Sequence, residues 1–143
     1  MTIQPVTGEN FPQAAGTHTL SWRASHRHIC SPEFLSRRDC AGYLRRWMEE
    51  GKRLFLLLNP EPVGIVSIQA DTIGDLYVHP EKKAMGYGSA LLEYALTCTA
   101  RPRRTVLSDN NRAITLYERY GFIPTGREFL RDGLWEVTME KRK

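Results

Sequence analysis

Residues 76–89 read Leu76-Tyr77-Val78-His79-Pro80-Glu81-Lys82-Lys83-Ala84-Met85-Gly86-Tyr87-Gly88-Ser89, and the reading of this stretch decides the fold. Leu76–Val78 closes a strand-like run that starts at Thr72, and His79-Pro80 stops it. Gly86 to Ala100 then carries Leu91, Leu92, Ala95 and Leu96 at helical spacing. Strand, loop and helix are therefore expected, with two glycines one residue apart at the turn. Without Cβ atoms these glycines let backbone N–H groups converge on an anion, and the helix behind them adds its positive end. Lys82 and Lys83 supply full charges beside them. The functional reading is a pyrophosphate cradle; the plain one is a glycine-rich turn that starts a helix. A P-loop is excluded, because no Gly-Lys-Ser/Thr occurs. Asp109 would suit a dinucleotide fold, but Leu91 fills the place of the third glycine and seven residues separate Val78 from Gly86, where that turn is tight.

Working outward, Arg103–Leu107 reads as a strand and Asn110–Tyr120 as a helix with Ala113, Leu116, Tyr117 and Tyr120 on one stripe, ended by Gly121. Phe122–Gly126 and Leu134–Glu140 form a closing pair of strands around Arg131-Asp132-Gly133. On the other side, Leu54–Leu58 and Val63–Ala70 are strands joined across Asn59-Pro60-Glu61-Pro62. Ser31-Pro32-Glu33 starts a helical region that Gly51 ends, with a break around Arg37–Asp39. A helical pattern from Asn10 to about His28, with Ile29 just beyond it, and an alternating piece, Thr2–Val6, complete the front. The order β-αα-βββ-α-β-α-ββ predicts a single α/β (α+β) domain over residues 1–143, with a mixed, mostly antiparallel sheet.

Composition narrows the function classes. The 143 residues are 41% apolar and 25% charged, as in an ordinary globule with a real core. The longest apolar run, Leu54–Leu58, falls far short of a membrane span, and the first twenty residues lack the basic start and apolar block of a secretory signal. The net charge of +4 suits an anionic ligand but is too diffuse for nucleic acid. Three cysteines, Cys30, Cys40 and Cys98, have neither disulfide nor metal spacing, which points to a reducing, cytoplasmic setting. No metal is expected either from His26 and His28, since residues two apart on a helix do not share a face.

From Ile73 to Phe122 the chain resembles the GNAT superfamily of acetyl-CoA-dependent N-acetyltransferases. Leu76-Tyr77-Val78-His79-Pro80 with Lys83-x-x-Gly86-x-Gly88 is similar to the family's strand and its [RQ]-x-x-G-x-[GA] pyrophosphate loop. Asn110-x-x-Ala113-Ile114-x-Leu116-Tyr117-Glu118-x-x-Gly121-Phe122 is similar to its second motif. Less firmly, Ser21-Trp22-Arg23-Ala24 and Ser31-Pro32-Glu33-Phe34-Leu35 resemble the paired first helices of many members.

The resemblance implies a cleft in which Leu76, Tyr77 and Val78 offer backbone groups to pantetheine and the thioester oxygen. The N–H groups of Lys83, Ala84, Met85, Gly86, Tyr87, Gly88 and Ser89 would hold the pyrophosphate. Asn110 would bond pantetheine as well as cap its helix, and Tyr117 would protonate the departing thiolate. A Tyr117 on an apolar stripe also suits plain core packing. Trp22 and His26 would wall the acceptor site. Three departures stand out. Lys83 replaces the usual Arg or Gln and lacks the guanidinium fork. Ala84 and Met85 occupy places where glycine and a basic residue are common. Thr72 stands where many members carry a glutamate base; Asp71 and Asp75 are near, but strand alternation sends both to the opposite face unless a bulge intervenes. The expected function is direct acetyl transfer from acetyl-CoA to a primary amine, most readily an α-amino group of a small molecule or peptide, by a monomer or homodimer. A covalent route through Cys98 is disfavoured because no base stands near it in the helix pattern. The rival reading is a non-catalytic acyl-CoA-binding or regulatory domain, which the absent glutamate would suit.

Overall fold

The computed structural model describes residues 1–28, 30–130 and 133–142. Ile29 and the expected turn residues Arg131 and Asp132 lie outside them. Among the described residues twelve elements follow in chain order: β1 Thr2–Pro5, α1 Phe11–His26, α2 Pro32–Arg37, α3 Cys40–Glu49, β2 Arg53–Leu58, β3 Pro62–Gln69, β4 Thr72–Val78, α4 Tyr87–Thr97, β5 Arg103–Leu107, α5 Asn111–Arg119, β6 Ile123–Phe129 and β7 Trp135–Glu140. A 3-10 turn, Pro80–Lys82, lies between β4 and α4.

The local chemistry accounts for the boundaries. The Ser31 hydroxyl accepts the Phe34 N–H at 3.2 Å and Asp39 accepts that of Gly42 at 2.9 Å, so the expected break between α2 and α3 is built from two separate caps. Asn110 caps α5 through the Ala113 N–H at 3.3 Å, as its position before the apolar stripe predicts. Asn10 behaves differently: its side-chain oxygen accepts the Thr7 N–H at 2.7 Å and closes the turn before α1. β6 runs on to Phe129 rather than stopping at Gly126; as an edge strand exposed along its whole length, it carries no apolar alternation to mark its end.

All seven strands join one sheet in the order β1-β2-β3-β4-β5-β7-β6. Every pairing is antiparallel except that of β4 with β5. One face is covered by α1 and α3, whose Ala14, Ala15 and Leu44 pack on Leu54, Leu56 and Ile65. The opposite face is covered by α4 and α5, whose Leu91, Leu92, Ala95 and Tyr117 pack on Val66, Ile68, Ile73 and Val106. No helix among the described residues is long and apolar enough to cross a membrane.

Candidate active site

β4 and β5 pair at a single register, Thr72 with Arg103, and then part. Two consecutive parallel strands that diverge leave a V-shaped opening in the middle of the sheet. It forms a cleft of about 1150 Å³ lined by β4, β5, the 82–89 loop, α5, and the Ser21, Ser25 and His26 end of α1. Five cations, Lys82, Lys83, Arg104, Arg112 and Arg119, line it against two carboxylates, Asp75 and Glu136, which favours an anionic ligand.

At the mouth, Gly86 takes a φ of 84° and Ala84 a φ of 62°, both left-handed, so the chain doubles back just before α4. The N–H groups of Tyr87, Gly88 and Ser89 lack intrahelical partners, being in the first turn; that of Ala90 is bonded to the Gly86 carbonyl at 3.0 Å. Gly88 lies beside β4, where an added Cβ would make ordinary contact, 3.8 Å from Val78 Cγ2 and 4.0 Å from Leu76 Cδ2. The Tyr87 ring leaves the loop for the core, and its hydroxyl accepts the Asn59 side-chain N–H at 2.8 Å. Of the predicted loop residues, Met85 alone is off the cleft wall, its side chain 59% exposed.

Deeper in, β4 contains the bulge that alternation alone would not supply. Val66 pairs with Leu76 and Ile68 with Ile73, so Gly74 and Asp75 together oppose Ser67. The Ser67 hydroxyl accepts the Asp75 N–H at 2.8 Å and locks the bulge. Gly74 is required there, because a Cβ would lie 2.5 Å from Ser67 Oγ. The bulge corrects the expectation for Asp75. Ile73, Leu76 and Val78 face α4 and α5, whereas Tyr77 faces α1 and α3, and Asp75 reaches the α1 residue His18. Asp75 is thereby turned to the same side as Thr72 and lines the cleft. Asp71 is not there; its carboxylate accepts the Ala100 N–H at 2.9 Å.

His18 is 1% exposed, with Nε2 3.2 Å from Asp75 Oδ2 and its ring met edge-on by Trp47 and Tyr77 at 5.5 and 5.6 Å. An imidazole so enclosed fixes the carboxylate's direction while the other carboxylate oxygen stays available to the cleft. Burial, reinforced by the Asp75 charge, pushes the Tyr77 phenol far above its ordinary range, so it stays protonated. His26 also lines the cleft; its Nδ1 lies 2.9 Å from the Trp22 carbonyl, and burial holds its imidazole below the ordinary 6.5. Trp22, expected on the acceptor wall, is instead 3% exposed and stacks behind His26 at 4.3 Å, with the Arg38 guanidinium over its ring at 4.2 Å. Its large apolar surface is used in packing, and it shapes the wall only through His26.

Tyr117 lines the cleft from α5, 3% exposed, in contact with Phe122 and beneath the Arg104 guanidinium at 4.9 Å. Arg104 spans the closed end of the V, its Nη1 donating to the carbonyls of Ile73 (3.3 Å) and Gly74. Those carbonyls lost their partner strand when β5 diverged. Sequence reasoning missed His18, Arg104 and Glu136. His18 sits in a helix rich in polar residues, and Arg104 follows another arginine and reads as strand surface. A more telling signal for Arg104 was available: it shares a strand face with the apolar Val106.

A sheet parted between two parallel strands, with a glycine-led helix at the opening, is the architecture of the N-acetyltransferase class. A family model described as the acetyltransferase (GNAT) domain matches residues 30–143, and the chain belongs to that family. Among curated proteins, the peptidyl-lysine N-acetyltransferase YjaB of Salmonella typhimurium is 32% identical over 72 residues, covering 50% of this chain and 50% of the relative. The match thus spans about half the length of that relative. Among solved structures, a GCN5-related N-acetyltransferase from Rhodopseudomonas palustris superposes with a TM-score of 0.72 at 24% identity, over 99% of this chain and 95% of the other. The PaiA N-acetyltransferase of Thermoplasma acidophilum, solved with coenzyme A, gives 0.73 at 19% identity over 100% of both. At these identities the structural likeness speaks for the fold.

Proposed function

We propose that residues 1–143 form one cytoplasmic N-acetyltransferase domain that moves the acetyl group of acetyl-CoA directly to a primary amine. The observation that carries this reading is the bulge, which sets an acidic side chain beside a V-shaped cleft that opens toward α4. The residues present suit the cosubstrate: unpartnered N–H groups at the start of α4 and Lys82 and Lys83 for phosphate, and the unpaired edge of β4 for pantetheine. Acetyl-CoA supplies an acyl thioester whose thiol, near pKa ~8.5, is a fair leaving group.

The chain's own groups then orient, neutralise and move protons. Leu76, Tyr77 and Val78 hold the arm by backbone bonds, and Lys83, Ala84, Gly86, Gly88 and Ser89, with the Tyr87 N–H, hold the phosphates, while Met85 stays off the cleft wall. Asn110 fixes the start of α5 and bonds the arm. Asp75, steered by His18, takes the ammonium proton so that the nitrogen lone pair can form the C–N bond; the Tyr117 hydroxyl gives its proton to sulfur as the C–S bond breaks and is restored by the second proton that nitrogen sheds. His26 and Thr72 border the acceptor.

The acceptor we favour is a lysine side chain. An α-amino acceptor was expected because no carboxylate stood at Thr72, and Asp75 on the bulge removes that ground. A lysine amine near pKa ~10.4 is almost wholly protonated at neutral pH and needs such a base. The name of the YjaB relative, a peptidyl-lysine N-acetyltransferase, supports the same choice. The test is thermal shift with CoA, followed by thiol release over a panel of lysine peptides, α-amines and polyamines. Stabilisation by CoA and turnover with lysine peptides support the reading. Stabilisation without turnover on any amine would favour the non-catalytic acyl-CoA-binding alternative, and no response to CoA would overturn both.

A further inference from the structure

Arg104 stands where the fold calls for an aliphatic side chain. It lies on the same side of β5 as Val106, which is 7% exposed, and its register partner on β7 is Met139, which is wholly buried. Its Nη1 is tied to two backbone carbonyls, and its Nε is covered and has no hydrogen-bond partner. No carboxylate neutralises it: among the described residues the only salt bridge joins His18 and Asp75. A partly buried guanidinium without a counter-charge is costly to the fold.

We propose that the missing counter-charge arrives with the acyl group, so that this protein accepts acyl-CoA donors whose acyl chain ends in a carboxylate, with Arg104 as the recognising residue. This rests on the cleft being an acyl-CoA site. The direction of the cleft supports it. The phosphate-binding loop follows Val78 at the open end, whereas Arg104 lies one residue from the Thr72–Arg103 pair at the closed end, about 13 Å back along β4. A donor anchored by its phosphates at the mouth therefore delivers its acyl end to Arg104. A carboxylate on the acceptor is the competing source of counter-charge, and the second arm of the experiment separates the two. The transfer keeps its balance: the C–N bond forms, the C–S bond breaks, the amine loses one proton and sulfur gains one, and the terminal carboxylate passes unchanged into the amide.

Equilibrium binding without any acceptor tests this, using CoA, malonyl-CoA and isovaleryl-CoA; the last two acyl groups have nearly the same shape and differ in charge. In the wild type, malonyl-CoA should bind at least ~10-fold tighter than isovaleryl-CoA, the scale of a charge-assisted contact. The ratio should fall to about one in Arg104→Met and be partly kept in Arg104→Lys. Equal or weaker malonyl-CoA binding in the wild type overturns the proposal without needing a folded variant. A preference that survives Arg104→Met, or a methionine variant that binds both donors tighter by the same factor, overturns it too, the latter marking Arg104 as a plug. If CoA itself fails to bind, the acyl-CoA reading of the cleft falls first. In a second arm, a preference for acceptors bearing a carboxylate, with the donor ratio at one, would assign Arg104 to the acceptor instead and contradict the proposal.

Discussion

Ala84 holds a left-handed backbone, φ 62°, that L-residues pay about 1–2 kcal/mol to adopt. Glycine would relieve that cost and give back roughly 0.5–1 kcal/mol of it as lost chain entropy. Ala84→Gly is therefore expected to raise stability by up to ~1 kcal/mol in urea unfolding; a loss of that size would show that the methyl group packs against something that matters. Asp75 offers a sharper test. Asp75→Asn keeps the side-chain oxygen that meets His18 and the backbone bond to Ser67, so the fold and CoA affinity should hold while turnover with lysine acceptors falls ~10²-fold or more. Turnover unaffected by the substitution would leave Asp75 as a structural partner of His18. Both residues were visible in the sequence. What hid the role of Asp75 is that a bulge leaves no mark in residue counting; it depends on Ser67, in the neighbouring strand, accepting the Asp75 N–H.

At the scale of elements, the sheet parts only if β4 stops pairing with β5 after Thr72, and the bulge at Gly74–Asp75 is what redirects the strand. Gly74→Ala would set a Cβ 2.5 Å from Ser67 Oγ and push out the hydroxyl that locks the bulge. We expect a loss of about 1–3 kcal/mol in unfolding, as for other overpacked sites, and a fall in turnover larger than the fall in CoA affinity, because the loop at the mouth is untouched. Equal losses in both would mean that the bulge serves stability alone. The strands themselves were legible: Thr72–Val78 and Arg103–Leu107 have the bounds their residue pattern predicts, and Asn110 announces α5 as a cap. The first helix was less so. α1 buries Thr17, His18 and Ser21 beside Ala14, Ala15 and Trp22, and a buried face made half of polar residues gives no clean apolar stripe. His18 is one of those polar residues, which is why periodicity passed over it.

Across the whole molecule, α1 and α3 cover one face of the sheet and α4 and α5 the other, and His26, at the end of α1, lines the cleft between β4 and β5. His26 is held below its ordinary 6.5, chiefly by burial, so the folded state binds its proton less readily than the unfolded chain. Its contribution is fully present above about pH 6.5 and is lost as pH falls below that value. The wild type should therefore lose more of its melting temperature between about pH 7 and pH 5.5 than His26→Gln does, a comparison that differential scanning calorimetry makes directly; equal losses would place His26 outside the balance. Acyl transfer in the opening between β4 and β5, with Tyr117 as the acid, is tested by following acetyl-CoA with a lysine peptide and measuring thiol and amide together. One thiol should be released for each amide formed, and that rate should fall ~10²-fold or more in Tyr117→Phe with CoA affinity kept. A Tyr117→Phe enzyme that turns over at the wild-type rate with saturating substrates would contradict it.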